Sequence, residues 1–318
     1  FLTVDDTGNK LGTFSSRGPA AVGDILKPDV TAPGINILAG FTPDATNAMP
    51  GENFAYLSGT SMSTPHVAGV AALLLEARPD WTPAAIKSAL MTSARQDITA
   101  DDGETPANPF DFGAGHIVPN AALDPGLVYD VSNDEFDAFA CGTASPAVSQ
   151  QRCDELAAAG FSFAAADLNQ PAISIGRLAN QRTVTRRVTN VGEAAASYTA
   201  SVEAPAGIGV TVDPSVIALQ PGESTEFEVT FSMQSGPLDL WRFGSLSWTS
   251  NDQEVRSPLA TVVSAAATLE GRMADAESIE FAGEQKRGVG TVMRVLTKVG
   301  PLQTTDVIRV VSWEPNRT

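Results

Sequence analysis

A serine at position 61 stands at the start of a long apolar segment, where its hydroxyl could act as a nucleophile. The run at 67–75 is apolar on every side, which predicts a helix that lies deep in a core. Pro65 falls early enough in that helix to break no intrahelical hydrogen bond. The first turn of a helix offers free backbone N–H groups and the positive end of the helix dipole, and both suit an anionic oxygen. Ser61 is therefore placed as in an acyl-transfer site, although a serine at this point can also be only an N-cap.

A serine hydroxyl is a poor nucleophile until a base takes its proton, and that base is usually a histidine oriented by a carboxylate. The chain contains two histidines, His66 and His116. His66 lies five positions after Ser61 on the same predicted helix, a separation that turns it about 140° away from the serine. His66 is therefore excluded as the base.

His116 allows a second hypothesis, because the order serine, aspartate, histidine is that of an α/β-hydrolase, with Asp97 or Asp111 as the acid. That class requires the pattern G-x-S-x-G at the turn between a strand and a helix. Residues 59–63 read GTSMS and lack the second glycine. The hydrolase hypothesis is therefore disfavoured.

The whole string GTSMSTPHVAG at 59–69 resembles the active-site serine motif of the subtilisin-like serine proteases. Further matches agree in order and spacing, and those after residue 110 resemble the plant-type branch, which carries a fibronectin-like domain behind the protease. Together they span roughly residues 10 to 265. The matching segments are FSSRGP (14–19), LKPDVTAPG (26–34), PDWTPAAIKSALMTSA (79–94), FDFGAGHI (110–117), LDPGLVYD (123–130) and RRVTNVG (186–192).

The resemblance implies roles for individual residues. Ser61 would be the nucleophile of a serine endopeptidase and its backbone N–H would help to hold the oxyanion, while Thr60 and Met62 would contact substrate. His66 and His116 would be structural. Since the family order is aspartate, histidine, then serine, the acid, the base and the oxyanion-hole asparagine are expected before the first residue. The missing N-terminal part of the protease domain is thus an expected partner, and the chain alone is expected to be inactive.

Two aspartates near the start, Asp5 and Asp6, faintly echo the acid motif of that family. The family aspartate belongs much further upstream, and Thr7 and Gly8 follow the pair as in a turn. We therefore predict that Asp5 and Asp6 lie in a turn and take no part in catalysis.

Charge and composition restrict the partners. Thirty-seven acidic against 20 basic residues give a net charge of −17, which argues against nucleic acid and anionic membrane surfaces. No apolar run reaches the length of a membrane span. Two cysteines are too few for a metal site by themselves, and no acidic loop has convincing calcium-ligand spacing. We expect polypeptide substrates, no cofactor and no metal.

The two cysteines, Cys141 and Cys153, are separated by a short loop-like stretch. The plant-type branch has a cysteine pair in this region, so the resemblance implies a disulfide formed outside the cell, and hence a secreted protein. Two unrelated buried thiols are the alternative.

The length allows about two domains. The texture predicts an α/β portion at 1–132, the C-terminal part of a subtilisin-like parallel-sheet domain, and a helical connector with the cysteines at 133–169. An all-β fibronectin-like sandwich follows at 170–264, where apolar residues alternate with polar ones between turns. Within the first portion, residues 35–39 predict a parallel strand shielded on both faces.

The last segment, 265–318, fits nothing in the protease family. It predicts strands at 291–297 and 306–313 around a Gly300–Pro301 turn and is faintly similar to part of a START-like ligand-binding fold, or is an artefact of joined gene fragments. One alternative to the enzyme stays open for the whole chain: a non-catalytic, degenerate protease that binds partners through the sandwich.

Overall fold

The structure, a computed structural model, describes residues 8–20, 24–42, 53–251 and 253–263, and also the backbone of three strands at 276–281, 292–299 and 302–309. Asp5 and Asp6 lie outside these residues. The helices are α1 (Thr60–Ala77), α2 (Pro83–Thr92), α3 (Pro109–Phe112), α4 (Pro119–Ala122), α5 (Asn133–Gly142) and α6 (Gln150–Ala158). The strands are β1 (Ile37–Gly40), β2 (Phe54–Leu57), β3 (Leu127–Val128), β4 (Ile173–Leu178), β5 (Gln181–Asn190), β6 (Ala196–Glu203), β7 (Ile208–Asp213), β8 (Val216–Leu219), β9 (Ser224–Met233), β10 (Trp241–Ser250), β11 (Gln253–Val263), β12 (Ala276–Phe281), β13 (Val292–Val299) and β14 (Leu302–Arg309).

Helix α2 begins at Thr82 and Pro83, a pair that is typical of a helix start. The Thr82 hydroxyl accepts a hydrogen bond from the Ala85 N–H at 3.0 Å, and Pro83 occupies the first turn, where its missing N–H leaves no acceptor unpaired. Ile86 and Leu90 are buried against Leu74 of α1. The apolar stripe of α2 thereby positions α1.

Helix α1 is less buried than the sequence predicts. Leu74 is 2% exposed, but Leu73 and Leu75 on either side are 63% and 45% exposed. The packed positions are Val67, Val70, Ala71 and Leu74, which follow the spacing of one helix face. The helix is apolar all round, and the described part of the chain covers only that face.

The predicted parallel strand at 35–39 is wrong in its partner and in its burial. β1 pairs antiparallel with β2, with Ile37 opposite Leu57 and Gly40 opposite Phe54. Residues 41–53 join the two strands directly, as an antiparallel pairing allows. Side chains of the pair are open, with Leu38 55% and Tyr56 68% exposed. An apolar run bounded by turns does not distinguish these two kinds of strand.

The connector consists of α5 and α6, which a disulfide between Cys141 and Cys153 joins with a Cα–Cα distance of 5.8 Å. The predicted pairing is therefore confirmed. Ser132 caps α5 through a reciprocal pair of hydrogen bonds with Glu135, which fixes where the connector begins.

Replacing both cysteines with serine is expected to lower the free energy of unfolding by about 2–4 kcal/mol, because the bridge closes a short loop in the unfolded chain. Urea unfolding with and without dithiothreitol measures this loss. The reductant should destabilise the wild-type chain to the same extent and leave the double variant unchanged. An equal effect of dithiothreitol on both proteins would contradict the prediction.

The described residues from 127 to 263 contain two packed sheets, in the orders β3-β5-β9-β7 and β4-β11-β10-β6-β8. Their inner faces enclose a core in which the Phe227 and Trp248 rings meet edge to face at 5.0 Å. Fold class is confirmed as α/β followed by a β-sandwich. The predicted boundary at 132 stays a prediction, and β3, which precedes it, pairs with β5 of the sandwich.

The α/β portion and the sandwich share a core. Phe110 of α3 packs edge to face against both Trp241 and Phe243 of β10, with ring centroids 4.9 Å apart in each case. Tyr129, whose backbone N–H donates to the Ser88 hydroxyl of α2 at 2.8 Å, also reaches the sandwich, because its phenol oxygen lies 2.9 Å from the Ser257 hydroxyl of β11. The sandwich therefore supports the helices that carry the candidate site.

Strands β12, β13 and β14 form a separate antiparallel sheet. β13 and β14 pair from Val299 opposite Leu302, in agreement with two predicted strands around Gly300–Pro301, although the turn itself lies outside the described residues. The START-like resemblance stays a prediction.

Candidate active site

The amino-terminal end of α1 carries Ser61, whose side chain is exposed. Gly59 precedes the helix, no side chain caps it, and no acidic residue stands in its first turn. The Gly59 carbonyl accepts from the N–H of Met62 at 3.0 Å and of Ser63 at 3.4 Å. The N–H groups of Thr60 and Ser61 are among those to which a helix supplies no acceptor. The first turn of α1 itself therefore places no carboxylate at the positive end of the helix dipole.

A turn at Gly34 holds this helix end in place. The Gly59 N–H donates to the Gly34 carbonyl at 2.8 Å, and the Asn36 N–H donates to the Ser58 hydroxyl at 2.8 Å. A Cβ on Gly34 would lie 2.2 Å from the Ser63 Oγ and 3.0 Å from the Gly59 oxygen. A side chain at position 34 would therefore force Ser63 to shift. Gly34 closes the segment LKPDVTAPG, but neither Gly34 nor Ser63 was predicted to belong to the site.

Gly34→Ala is expected to lower the free energy of unfolding by about 1–3 kcal/mol, because the added methyl overpacks the start of α1. Gly69→Ala is the matched control, since an added Cβ there meets nothing within 4 Å and alanine favours a helix interior. Chemical denaturation of the three proteins compares them. Equal stability of Gly34→Ala and wild type would contradict the prediction.

His66 is engaged on its own helix. Its Nδ1 lies 2.8 Å from the carbonyl oxygen of Met62, one turn earlier, so that the ring donates this hydrogen bond along the helix. The position agrees with the structural role that the sequence predicts.

His116 lies beside Thr31, with its Nδ1 3.4 Å from the Thr31 Oγ1, and its backbone N–H donates to the Arg95 carbonyl at 2.8 Å. Burial lowers the pKa of its imidazole below the ordinary value; the charges of Arg95 and His66 lower this pKa further, and the opposing effect of Asp97 is too small to reverse the shift. The ring is therefore neutral at pH 7 and belongs to the packing between two loops.

The two candidate acids of the hydrolase hypothesis have other partners. Asp97 accepts hydrogen bonds from Arg95 at 2.9 Å and from Asn9 at 3.0 Å. Asp111 accepts from the Asn108 N–H at 2.9 Å, as the cap of α3. Neither carboxylate is hydrogen-bonded to His116 in the part of the chain that the structure describes.

The described site therefore combines an accessible serine hydroxyl with a positive helix terminus. Thr60 is exposed and Met62 is half-buried on either side of Ser61, and their predicted contact with substrate stays a prediction. Among the residues described, no group of three or more His, Cys, Asp and Glu side chains could hold a metal ion. None of the described helices is long and apolar enough to cross a membrane.

Comparison with known proteins gives matches along most of the chain. Residues 2–115 match the subtilase family model, and residues 167–261 match a fibronectin type-III domain model. The chain is 39% identical over 269 residues to the subtilisin-like protease SBT3.11 of Arabidopsis thaliana, which covers 79% of this chain and 34% of that protein. It is 36% identical over 276 residues to SBT2.5 of the same plant, covering 80% of this chain and 34% of that protein.

The chain thus spans about a third of the length of these curated relatives. Among solved structures, it is similar to the Pseudomonas aeruginosa CupB2 chaperone at a TM-score of 0.23 and 14% identity, over 41% of this chain and 78% of that chain; so weak a likeness carries no argument. The two family models match in the order that the motifs predict, and the serine motif lies within the first. The chain belongs to the subtilase family and carries a fibronectin type-III-like domain behind its subtilase portion.

Proposed function

We propose that this chain is the nucleophile-bearing portion of a serine endopeptidase. The observation that carries the proposal is the exposed Ser61 hydroxyl at the uncapped positive end of α1, within the segment that matches the subtilase family. The names of its relatives, subtilisin-like proteases, support the reaction class.

In the proposed reaction, the Ser61 oxygen attacks a peptide carbonyl carbon and the proton of the hydroxyl passes to a histidine base. The carbonyl oxygen becomes an oxyanion, which the Ser61 N–H and the helix dipole stabilise. The histidine then gives this proton to the leaving nitrogen as the intermediate collapses, which releases the amine product and leaves an acyl-enzyme that water hydrolyses. Thr60 and Met62, on either side of Ser61 in the sequence, contact the substrate.

The base and its carboxylate come, in this proposal, from a part of the protease domain outside residues 1–318. Exposed apolar side chains on α1, β1 and β2 provide the surface for that part, and Leu73, Phe54 and Tyr56 are 63%, 64% and 68% exposed. Burial of such a surface is favourable in proportion to its apolar area. Packing there would also bring the base to the exposed side of Ser61.

The substrates are polypeptides and the protein is secreted, in keeping with the disulfide of the connector. The rival proposal is a non-catalytic subtilase that binds partners through its sandwich. It is favoured by the two histidines, both of which have structural partners. The two proposals differ in whether Ser61 reacts.

Residues 1–318 alone are expected to show no measurable hydrolysis of a fluorogenic peptide or of labelled casein, because no base reaches Ser61. The same assay on the full natural protein should give turnover. Hydrolysis by residues 1–318 that Ser61→Ala removes would overturn the assignment of the base to another segment. Absence of turnover in the full protein would support the non-catalytic rival.

A further inference from the structure

A cavity of about 570 Å³ lies between the α/β portion and the sandwich. Its lining comes from the end of α2 and the residues after it, from α4 and the residues after it, and from the start of β11. We call it the junction cleft. The polar and charged residues that line it include Arg95, Asn120, Asp124, Gln253, Glu254 and Arg256.

Arg256 on β11 is anomalous among the arginines of the sandwich. Its Nη1 is buried and has no hydrogen-bond partner in the described part of the chain. In contrast, Arg186 donates to the carbonyls of Gln170 at 3.0 Å and Ala166 at 2.8 Å, and Arg242 donates to that of Ala206 at 3.0 Å. A buried donor without an acceptor costs its full desolvation penalty, so the Arg256 site lacks an acceptor.

The charges around Arg256 do not fill this role. Glu254 accepts a hydrogen bond from the Ser247 hydroxyl at 2.7 Å and acts on Arg256 only through space, as does Glu203. Burial outweighs both and lowers the pKa of Arg256. The other arginine of the cleft, Arg95, is already paired with Asp97 at 2.9 Å. One guanidinium in the cleft is thus left to receive an anion.

The chemistry of the cleft favours a single carboxylate. A guanidinium presents its N–H groups in a planar fork that matches a carboxylate in a bidentate pair. Asp124 and Glu254 at the same cleft would repel a more highly charged group such as a phosphate dianion. The amides of Asn120 and Gln253 can both donate and accept, as peptide groups require.

The volume of the cleft suits an organic ligand better than a single small ion. Water occupies roughly 30 Å³ per molecule in the liquid, and the cavity of about 570 Å³ lies within the range of sites for organic ligands. We propose that the junction cleft binds the carboxylate end of a short peptide segment, with Arg256 as its anchor. This inference stands independently of the proposed protease activity.

The first test is binding by the full chain of residues 1–318. The probes are acetyl-Ala-Gly-Ala with a free carboxylate and the same peptide with a C-terminal amide, followed by calorimetry and thermal unfolding. The free acid should raise Tm in a concentration-dependent way, and the amide should bind at least tenfold more weakly. Equal binding of both peptides would overturn the proposal. If inorganic phosphate raised Tm as much as the free acid does, the cleft would be a general oxyanion site, and the proposal of a peptide carboxylate would be wrong.

Two variants sharpen this test. Arg256→Gln should abolish the Tm increase that the free acid produces, whereas Arg182→Gln, which removes the same charge from the pair with Asp167 elsewhere on the sandwich, should preserve it. If Arg256→Gln retained the increase, Arg256 would not be the anchor.

A second readout needs no ligand. In a buffer without carboxylates, Arg256→Met should unfold at a higher temperature than wild type, because the variant no longer buries an unpaired guanidinium. The free acid should then reduce or reverse this difference by stabilising the wild type alone. A lower Tm for Arg256→Met would assign Arg256 a structural role within the fold and contradict the proposal.

Discussion

Replacing Ser61 with alanine in the full natural protein is expected to lower kcat for peptide hydrolysis by about 10⁶-fold, as loss of the nucleophile does in subtilisin. The reason is that a methyl group cannot form the acyl-enzyme, so neither the base nor the oxyanion donors have a reaction to assist. The rate of release of a fluorogenic leaving group measures the loss. KM should change little, because the hydroxyl contributes to the transition state more than to substrate binding.

The matched control is Ser63→Ala, two residues after Ser61 on the same helix turn. The Ser63 Oγ packs against the Gly34 turn and not toward the exposed side of α1. This variant should keep kcat within about tenfold of wild type, since it alters packing alone. A loss of activity in Ser63→Ala with full activity in Ser61→Ala would contradict the assignment of the nucleophile.

Replacing Phe110 with alanine is expected to lower the free energy of unfolding by about 3–5 kcal/mol, the cost of deleting a buried aromatic ring. Phe110 is 9% exposed and packs edge to face on Trp241 and Phe243. Because these contacts join the α/β portion to the sandwich, the loss should appear in both portions. Urea unfolding followed by tryptophan fluorescence and by far-ultraviolet circular dichroism measures it.

Phe136→Ala is the control for this variant, since Phe136 on α5 is 46% exposed. It should change the free energy of unfolding by less than about 1 kcal/mol, as surface substitutions do. If fluorescence and circular dichroism reported two distinct unfolding transitions for Phe110→Ala but one for wild type, the Phe110 contact would link two independently stable units. If Phe110→Ala were as stable as wild type, the shared core would carry no energy.

Much of the fold could be predicted from residue pattern and motif. The pair Thr82–Pro83 is typical of a helix start, and α2 begins there, since capping depends on local chemistry alone. The alternation around Phe227 and Trp248 indicated strands with one buried face, which the two sheets confirm. Cys141 and Cys153 were paired through family resemblance.

The rest of the fold depends on which surfaces meet, and a local pattern of apolar and polar residues does not contain that information. Leu73 and Leu74 are equally apolar, yet only Leu74 faces α2. Ile37 could have begun a buried parallel strand, but its neighbour in the fold is Leu57 of an exposed antiparallel pair. The vacant acceptor position at Arg256 arises where two portions of the chain pack together. Long-range packing alone produces such features.

The reaction of Ser61 with a fluorophosphonate in the full natural protein tests the central claim most directly, because the reagent labels a serine only when a base activates it. Mass spectrometry of the labelled protein should locate the adduct on Ser61, and Ser61→Ala should remove it while Ser63→Ala preserves it. Residues 1–318 alone should not be labelled. An adduct on another serine, or a full natural protein that is not labelled while it hydrolyses peptides, would contradict the account.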